Sequence, residues 1–231
     1  MKLLKRKSKN KTKKTVYLIV NENPKSPITE QYRLIRNNIH FSSVDKEIKS
    51  IVVTSPEPSD GKTTTAANLA IVLTQQGKRV LLVDTDLRKP SVHYAFNTSN
   101  LDGITSVLTK EINLDFAIAK TNVPNLDILT SGPIPPNPLE LLDSKAMELV
   151  MEELKDMYEY IVFDTPPILA VTDAQILGNK CDGVVLVVAS GKTHKDQARK
   201  AKDMLEKAKC QLLGVVVNGV ESKKNGYGHY S

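Results

Sequence analysis

The sequence predicts an α/β protein whose central sheet is mostly parallel and is covered by helices on both faces. Short, continuous apolar strands alternate with helical segments along most of the chain, a pattern typical of strands that are buried on both sides. Polar residues directly follow several of these strands. Because ligands of such sheets bind beyond the carboxyl ends of the strands, we expect the functional site at that edge.

The elements follow from local patterns along the chain. A helix is predicted over residues 26–42, with Pro27 near its start. Apolar residues recur along it at helical spacing, namely Ile28, Tyr32, Ile35 and Ile39. The predicted strands cover residues 50–54, 79–84, 126–130, 160–164, 183–189 and 213–218. The predicted helices between them cover residues 62–76, 138–157 and 194–209.

We expect one folded domain over residues 15–221, between a basic leader at 1–14 and a tail at 222–231. The leader holds eight of the 32 Lys and Arg residues and no acid. The remaining 24 basic residues face 26 acidic ones, so the body is nearly neutral and no nucleic-acid partner is expected. The leader either contacts anionic lipid at the inner face of the membrane or is a solvated segment without a partner.

The chain contains no apolar run long enough to span a bilayer, and its first residues lack the apolar stretch of a signal peptide. We therefore expect a cytoplasmic protein. Cys181 and Cys210 are far apart, and the four histidines have no metal-ligand spacing. Neither a disulfide nor a zinc site is expected.

Residues 54–65 connect a predicted strand to a predicted helix and contain Gly61-Lys62-Thr63. Backbone N–H groups at such a helix start attract phosphate, the lysine reaches the β- and γ-phosphates, and the hydroxyl binds magnesium. The strict pattern has a glycine where this chain has Pro56, so the match is partial. The expected nucleotide contacts are Ser59, Asp60, Gly61, Lys62, Thr63, Thr64 and, at the end of the last strand, Asn218.

Acidic residues lie at the ends of two further strands. Asp84 ends one strand, with Asp86 two residues later, and Asp164 ends another. Carboxylates at adjacent strand ends hold magnesium, position a nucleophile or accept its proton. Each of them alone is more often the cap of a turn, but three opposite a Gly-Lys-Thr loop favour an active site. Thr63 joins these three aspartates as an expected magnesium ligand, and Lys62 joins them as an expected catalytic residue.

Three segments, 83–90 (VDTDLRKP), 130–138 (TSGPIPPNP) and 164–174 (DTPPILAVTDA), resemble the bacterial tyrosine kinases that control capsular and exopolysaccharide synthesis. The resemblance covers nearly the whole chain from Pro24 onward. It implies a P-loop NTPase-like fold related to the ParA and MinD ATPases, with ATP and Mg²⁺ as cofactors. It also implies that Asp86 orients or deprotonates the tyrosine hydroxyl, while Asp84 and Asp164 serve magnesium.

Two positions in the loop depart from the patterns of these families. The kinases usually have glycine where this chain has Ser59, and a backbone conformation that is easy for glycine costs more for serine. The partitioning ATPases have a second lysine where this chain has Glu57. The glutamate favours the kinase branch over the partitioning branch.

The resemblance extends to assembly and to the tail. Glu30, Arg33 and Arg36 match the family's E-x-x-R-x-x-R helix for ring assembly, although a solvated charged face with internal ion pairs is the simpler interpretation. Tyr227 and Tyr230 lie where the family has a tyrosine cluster that is phosphorylated between subunits. The resemblance further implies a separate transmembrane activator that recruits the protein to the membrane.

Other functions remain as alternatives. An ATPase switch without kinase activity would use the same loop and aspartates. A GTPase is less favoured because residues 217–220 lack the N-K-x-D pattern that reads guanine. A dehydrogenase is disfavoured because no G-x-G-x-x-G follows the first strand.

Overall fold

The computed structural model describes residues 16–42 and 47–220. The basic leader and the tail with Tyr227 and Tyr230 lie outside these described residues. The strands are β1 Ser50–Thr54, β2 Val80–Asp84, β3 Ile118–Lys120, β4 Leu126–Leu129, β5 Tyr160–Asp164, β6 Gly183–Ala189 and β7 Leu212–Asn218. The helices are α1 Ile19–Glu22, α2 Pro27–Phe41, α3 Lys62–Thr74, α4 Val92–Ala95, α5 Ile104–Leu108, α6 Leu114–Ala117, α7 Pro138–Leu142, α8 Lys145–Met157, α9 Asp173–Lys180 and α10 Lys195–Lys207.

The strands form one sheet in the order β3-β4-β2-β5-β1-β6-β7. Every neighbouring pair is parallel except β3 with β4. The predicted α/β class with a mostly parallel sheet is confirmed. The short antiparallel edge strand β3 was not predicted, because its three residues carry no apolar run.

Alternate residues of the central strands belong to two separate apolar cores. Val52 of β1 packs on one face of the sheet with residues of α8 and α10. Ile51 and Val53, its neighbours in the chain, pack on the other face with residues of α2 and α3. Because both faces are covered, an uninterrupted apolar run is the stable choice for these strands.

Two predicted helices differ from the structure in detail. The single helix predicted over 138–157 is divided into α7 and α8, because Ser144 is extended and its side chain accepts the Met147 N–H as the cap of a new helix. In α2, Tyr32 and Ile39 are buried as their spacing suggests, but Ile28 is exposed. No helix among the described residues is long and apolar enough to cross a membrane.

Candidate active site

The sheet brings the predicted phosphate loop and the predicted carboxylates to one edge. β5 lies between β1 and β2, and Asp84 is directly opposite Asp164 in the register of β2 and β5. The loop leaves β1 beside them and ends where α3 begins at Lys62. Residues more than 100 positions apart in sequence therefore meet at the carboxyl ends of three adjacent strands, as the sequence predicted.

Lys62 lies among the carboxylates. Its Nζ is 3.0 Å from Asp86 Oδ2 and 3.4 Å from Asp164 Oδ1. Burial alone would lower the pKa of the ammonium group, but the charges of Asp164, Asp86 and Asp84 outweigh it and hold the pKa above its ordinary value. Lys62 is therefore a fixed positive charge at the start of a helix, a position that favours phosphate binding.

Hydroxyl groups join this cluster. Thr63 Oγ1 donates to Asp164 Oδ2 at 2.6 Å and lies 3.1 Å from Ser91 Oγ. The backbone N–H groups of Ser91 and Val92 donate to Asp84 Oδ2 at 2.8 and 2.9 Å. No role was predicted for Ser91 from the sequence, although its place directly after the family-like segment 83–90 pointed to one.

The aspartates experience strong desolvation. Burial, together with the nearby charge of Asp164, raises the pKa of Asp84 to about 7, although the backbone N–H donors and the Lys62 charge oppose the shift. Burial likewise raises the pKa of Asp164, although Lys62 and the Thr63 hydroxyl oppose the shift. A cation placed between these strand ends would relieve the cost of burying both carboxylates.

The oxygen donors of this edge suit magnesium and phosphate. Among the described residues no group of three His, Cys, Asp or Glu side chains is arranged as a complete metal site. Magnesium binds to proteins through one or two carboxylates and completes its shell with water and substrate phosphates. The Thr63 hydroxyl with the Asp164 carboxylate, 2.6 Å apart, is a donor set of that kind.

The backbone conformation and the close packing of the loop require a glycine at position 61. Gly61 has a φ of 97°, and a Cβ added to it would lie 2.0 Å from Asn218 Nδ2. Asn218 in turn donates to the Asp60 carbonyl at 3.1 Å. The end of β7 thus closes against the loop, which brings the predicted contact Asn218 into the site.

Comparisons with known proteins agree with this geometry. A family described as an AAA domain matches residues 48–198. Tyrosine-protein kinase YwqD of Bacillus subtilis (strain 168) is 57% identical over 208 residues, which make up 90% of this chain and 88% of that protein. The chain belongs to the bacterial tyrosine-protein kinase family.

Solved structures with the same fold are similar to this member of the tyrosine-kinase family. The crystal structure of the chimerical protein CapA2B2 has a TM-score of 0.86 and 46% identity, covering 88% of this chain and 89% of that one. The cell division ATPase MinD of Pyrococcus furiosus has a TM-score of 0.64 and 28% identity, covering 75% of this chain and 74% of that one. The fold is shared with the ATPase, but the likeness to CapA2B2 extends over more of the chain.

The loop of this family member carries the strain that its sequence predicted. Ser59 has a φ of 66°, in the left-handed region that favours glycine. Glu57, the other departure, accepts a hydrogen bond from the Gln197 side chain of α10. The glutamate is therefore part of a contact within the chain.

A guanidinium–carboxylate pair connects the two acidic segments of the kinase-family site. Arg88 donates to both oxygens of Asp173, at 3.3 and 3.4 Å, and the Asp173 side chain is fully buried at the start of α9. Both residues lie inside the segments that carry the family resemblance, but neither was predicted to have a role. Their separation of 85 residues hides the pair from any local pattern.

The predicted assembly residues lie on α2, outside the site. Arg33 pairs with Glu30 on the same helix and donates to the Gln75 side chain at 3.1 Å. Arg36 donates to the Val72 carbonyl at 3.2 Å, near the end of α3. These contacts give both arginines partners within one chain, and their role between subunits stays a prediction.

Proposed function

We propose that the protein transfers the γ-phosphoryl group of ATP to tyrosine hydroxyls in a magnesium-dependent reaction. The proposal is carried by one observation: the Lys62 ammonium lies within 3.4 Å of both Asp86 and Asp164 at the helix start where phosphate binds. Membership in the tyrosine-protein kinase family supports the choice of acceptor.

Each side chain has a chemical task in this proposal. Lys62 stabilises the negative charge that develops on the transferring phosphoryl group. Thr63 and Asp164 would hold Mg²⁺, with Asp84 behind them, and the ion would offset charge on the phosphates. Asp86 orients the tyrosine hydroxyl and accepts its proton as the oxygen attacks phosphorus.

The proposal includes the protein's own tail as substrate. Tyr227 and Tyr230 follow β7, and a dozen residues extend at most about 3.3–3.6 Å each, or roughly 40 Å together. That reach permits transfer to a neighbouring subunit in a ring whose contacts involve Glu30, Arg33 and Arg36. Phosphorylation would add about −1.5 to −2 charge per tyrosine and favour release of the tail from the acidic site.

Partners and location complete the proposal. A separate transmembrane activator would recruit the protein to the inner face of the membrane, with the basic leader as a further contact to anionic lipid. Regulation of capsular or exopolysaccharide synthesis follows from the family resemblance.

An ATPase switch is the second candidate function, since the similar MinD structure is that of a cell division ATPase. Both candidates use the loop and the aspartates, but only a kinase needs a tyrosine acceptor. Product analysis therefore separates them.

The test is incubation of the full chain with γ-labelled ATP and magnesium, followed by detection of phosphotyrosine and of free phosphate. We expect phosphotyrosine in the wild type and a loss of about 10³-fold or more in Lys62→Met, because the charge acts mainly on the transition state. Lys195→Met, at an exposed position of α10, is the matched control. Free phosphate without phosphotyrosine would favour the ATPase switch.

The transfer between subunits has its own test. A full-length Lys62→Met chain is mixed with an active chain that lacks residues 225–231. Label on the Lys62→Met tail supports transfer between chains. An unlabelled tail, in conditions where the wild type labels itself, would contradict it.

A further inference from the structure

The phosphate loop is tied to the turn that follows β6. Lys192 Nζ lies 3.0 Å from Asp60 Oδ1 and donates to the Pro58 carbonyl at 2.7 Å. A backbone hydrogen bond stabilises this turn, in which the Lys192 N–H donates to the Ala189 carbonyl at 3.2 Å. One ammonium group, 132 residues away in sequence, thus bridges a side chain and the backbone of the loop.

The Asp60 carboxylate depends on this contact. Its side chain is fully buried, and its second oxygen accepts the Glu57 N–H at 3.0 Å. A buried carboxylate is unfavourable unless it is paired and hydrogen-bonded. Lys192 supplies the positive charge that this carboxylate needs while the lysine itself stays half exposed.

The loop needs such a constraint because it lacks two glycines of the usual patterns. Pro56 and Ser59 stand where glycine is common, and Ser59 is held at a φ of 66°. A residue in this conformation persists only where the surrounding structure fixes it. The contacts of Lys192 with Pro58 and Asp60 lie on both sides of the strained residue.

We propose that Lys192 is a positioning residue for nucleotide binding, which acts through Asp60. By holding Asp60 and the Pro58 carbonyl, it keeps the loop N–H groups directed at the phosphates, where each contributes to anion binding. This inference rests on the proposed nucleotide-binding function. It assigns Lys192 no contact with the reacting atoms.

The first experiment measures the full chain without nucleotide. Backbone amide exchange at residue 57 and over residues 59–62 should be faster in Lys192→Met than in the wild type, and Lys192→Arg should restore the slow rate. Lys195→Met is the matched control, because this lysine is exposed in the first turn of α10 and its substitution should leave exchange unchanged. Equal exchange in Lys192→Met and the wild type would overturn the proposal.

The second experiment titrates a fluorescent ADP analogue in the presence of magnesium. Lys192→Met should raise the Kd by about tenfold, as expected for the loss of a charged hydrogen bond that orders the site. Lys192→Arg should recover most of the affinity. With tyrosine phosphorylation as readout, KM for ATP should rise by a similar factor while kcat stays within about twofold.

A double-mutant cycle separates positioning from direct contact with the nucleotide. In an Asp60→Asn background, Lys192→Met should weaken binding by less than about twofold, because the partner through which it acts has lost its charge. Additive losses would instead show that Lys192 contacts the phosphates and would overturn the proposal. A wild-type chain that binds no nucleotide would contradict the proposed function itself, and with it this inference.

Discussion

The carboxylates of the candidate site and the loop that faces them are held in different ways. Asp84 and Asp164 end paired strands and are buried by the sheet itself. The loop over residues 56–61 is held by side chains from elements 132 to 158 residues further along the chain. The position of the carboxylates is therefore a consequence of the fold, whereas the conformation of the loop depends on a few individual contacts.

Substitution of the carboxylates should have the largest effects on binding and catalysis. Asp164→Asn should weaken magnesium-dependent nucleotide binding by about 10-fold or more, since Asp164 accepts from Thr63 and pairs with Lys62. Asp86→Asn should instead lower kcat by about 10²-fold with little change in binding, because it acts on the tyrosine hydroxyl.

Nucleotide titration and steady-state kinetics measured side by side check these roles. Asp203→Asn, at an exposed position of α10, is the control for loss of a carboxylate elsewhere. Weaker binding in Asp86→Asn than in Asp164→Asn would reverse the assignment.

The same difference decides what could be predicted from the sequence. The strands were found because burial on both faces gives continuous apolar runs, and the carboxylates because they end those strands. The contacts of Lys192 with the loop and of Arg88 with Asp173 could not be found, because both depend on register between distant elements. The break at Ser144 was missed because one capping hydroxyl outweighs a helical pattern that continues on both sides.

Arg88 and Asp173 form a long-range contact in the carboxylate half of the site. Arg88→Met should lower the free energy of unfolding by about 1–2 kcal/mol, because it leaves the buried carboxylate of Asp173 without its charged partner. Partial exposure of Arg88 keeps the effect below that of a fully buried pair. Denaturant titration gives the measurement.

The exposed pair of Arg79 with Glu159 provides a matched control for that substitution. Its two atoms are 3.8 Å apart and both side chains are exposed, so Arg79→Met should change stability by only about 0–0.5 kcal/mol. Equal losses in the two variants would mean that burial of Asp173 has no energetic consequence.

Protonation of Asp84 gives a smaller and pH-dependent effect. Burial, together with the charge of Asp164, raises the pKa of Asp84 to about 7 in the folded protein. Between about pH 4 and pH 7 the folded state then binds more protons than the unfolded state, so stability falls as pH rises. Asp84→Asn removes this titration. The Tm of Asp84→Asn minus the Tm of the wild type should therefore increase by roughly 2–4 °C from pH 5 to pH 8.

The measurement is thermal unfolding without nucleotide and with a chelator, so that no cation compensates the carboxylates. Asp203→Asn, at an exposed position, should show a Tm difference that is constant across the same range. If the Tm difference between Asp84→Asn and the wild type is also constant, Asp84 is not a buried carboxyl group with a raised pKa.

The smallest expected effect comes from the strained residue of the loop. Ser59→Gly removes the cost of a positive φ but adds freedom to the unfolded chain, so we expect a net stabilisation of only about 0.5 kcal/mol. Lys209, which has a φ of 58° far from the loop, gives the matched control, and Lys209→Gly should have a similar effect on stability.

In the wild-type background Ser59→Gly should leave the Kd for nucleotide within about twofold, because the contacts of Lys192 still fix the loop. In the Lys192→Met background the same glycine should recover part of the lost affinity, because glycine adopts the positive φ without the cost that Lys192 offsets in the wild type. If Ser59→Gly recovers no affinity in the Lys192→Met background, the contact with Lys192 does not act by offsetting the strain at Ser59.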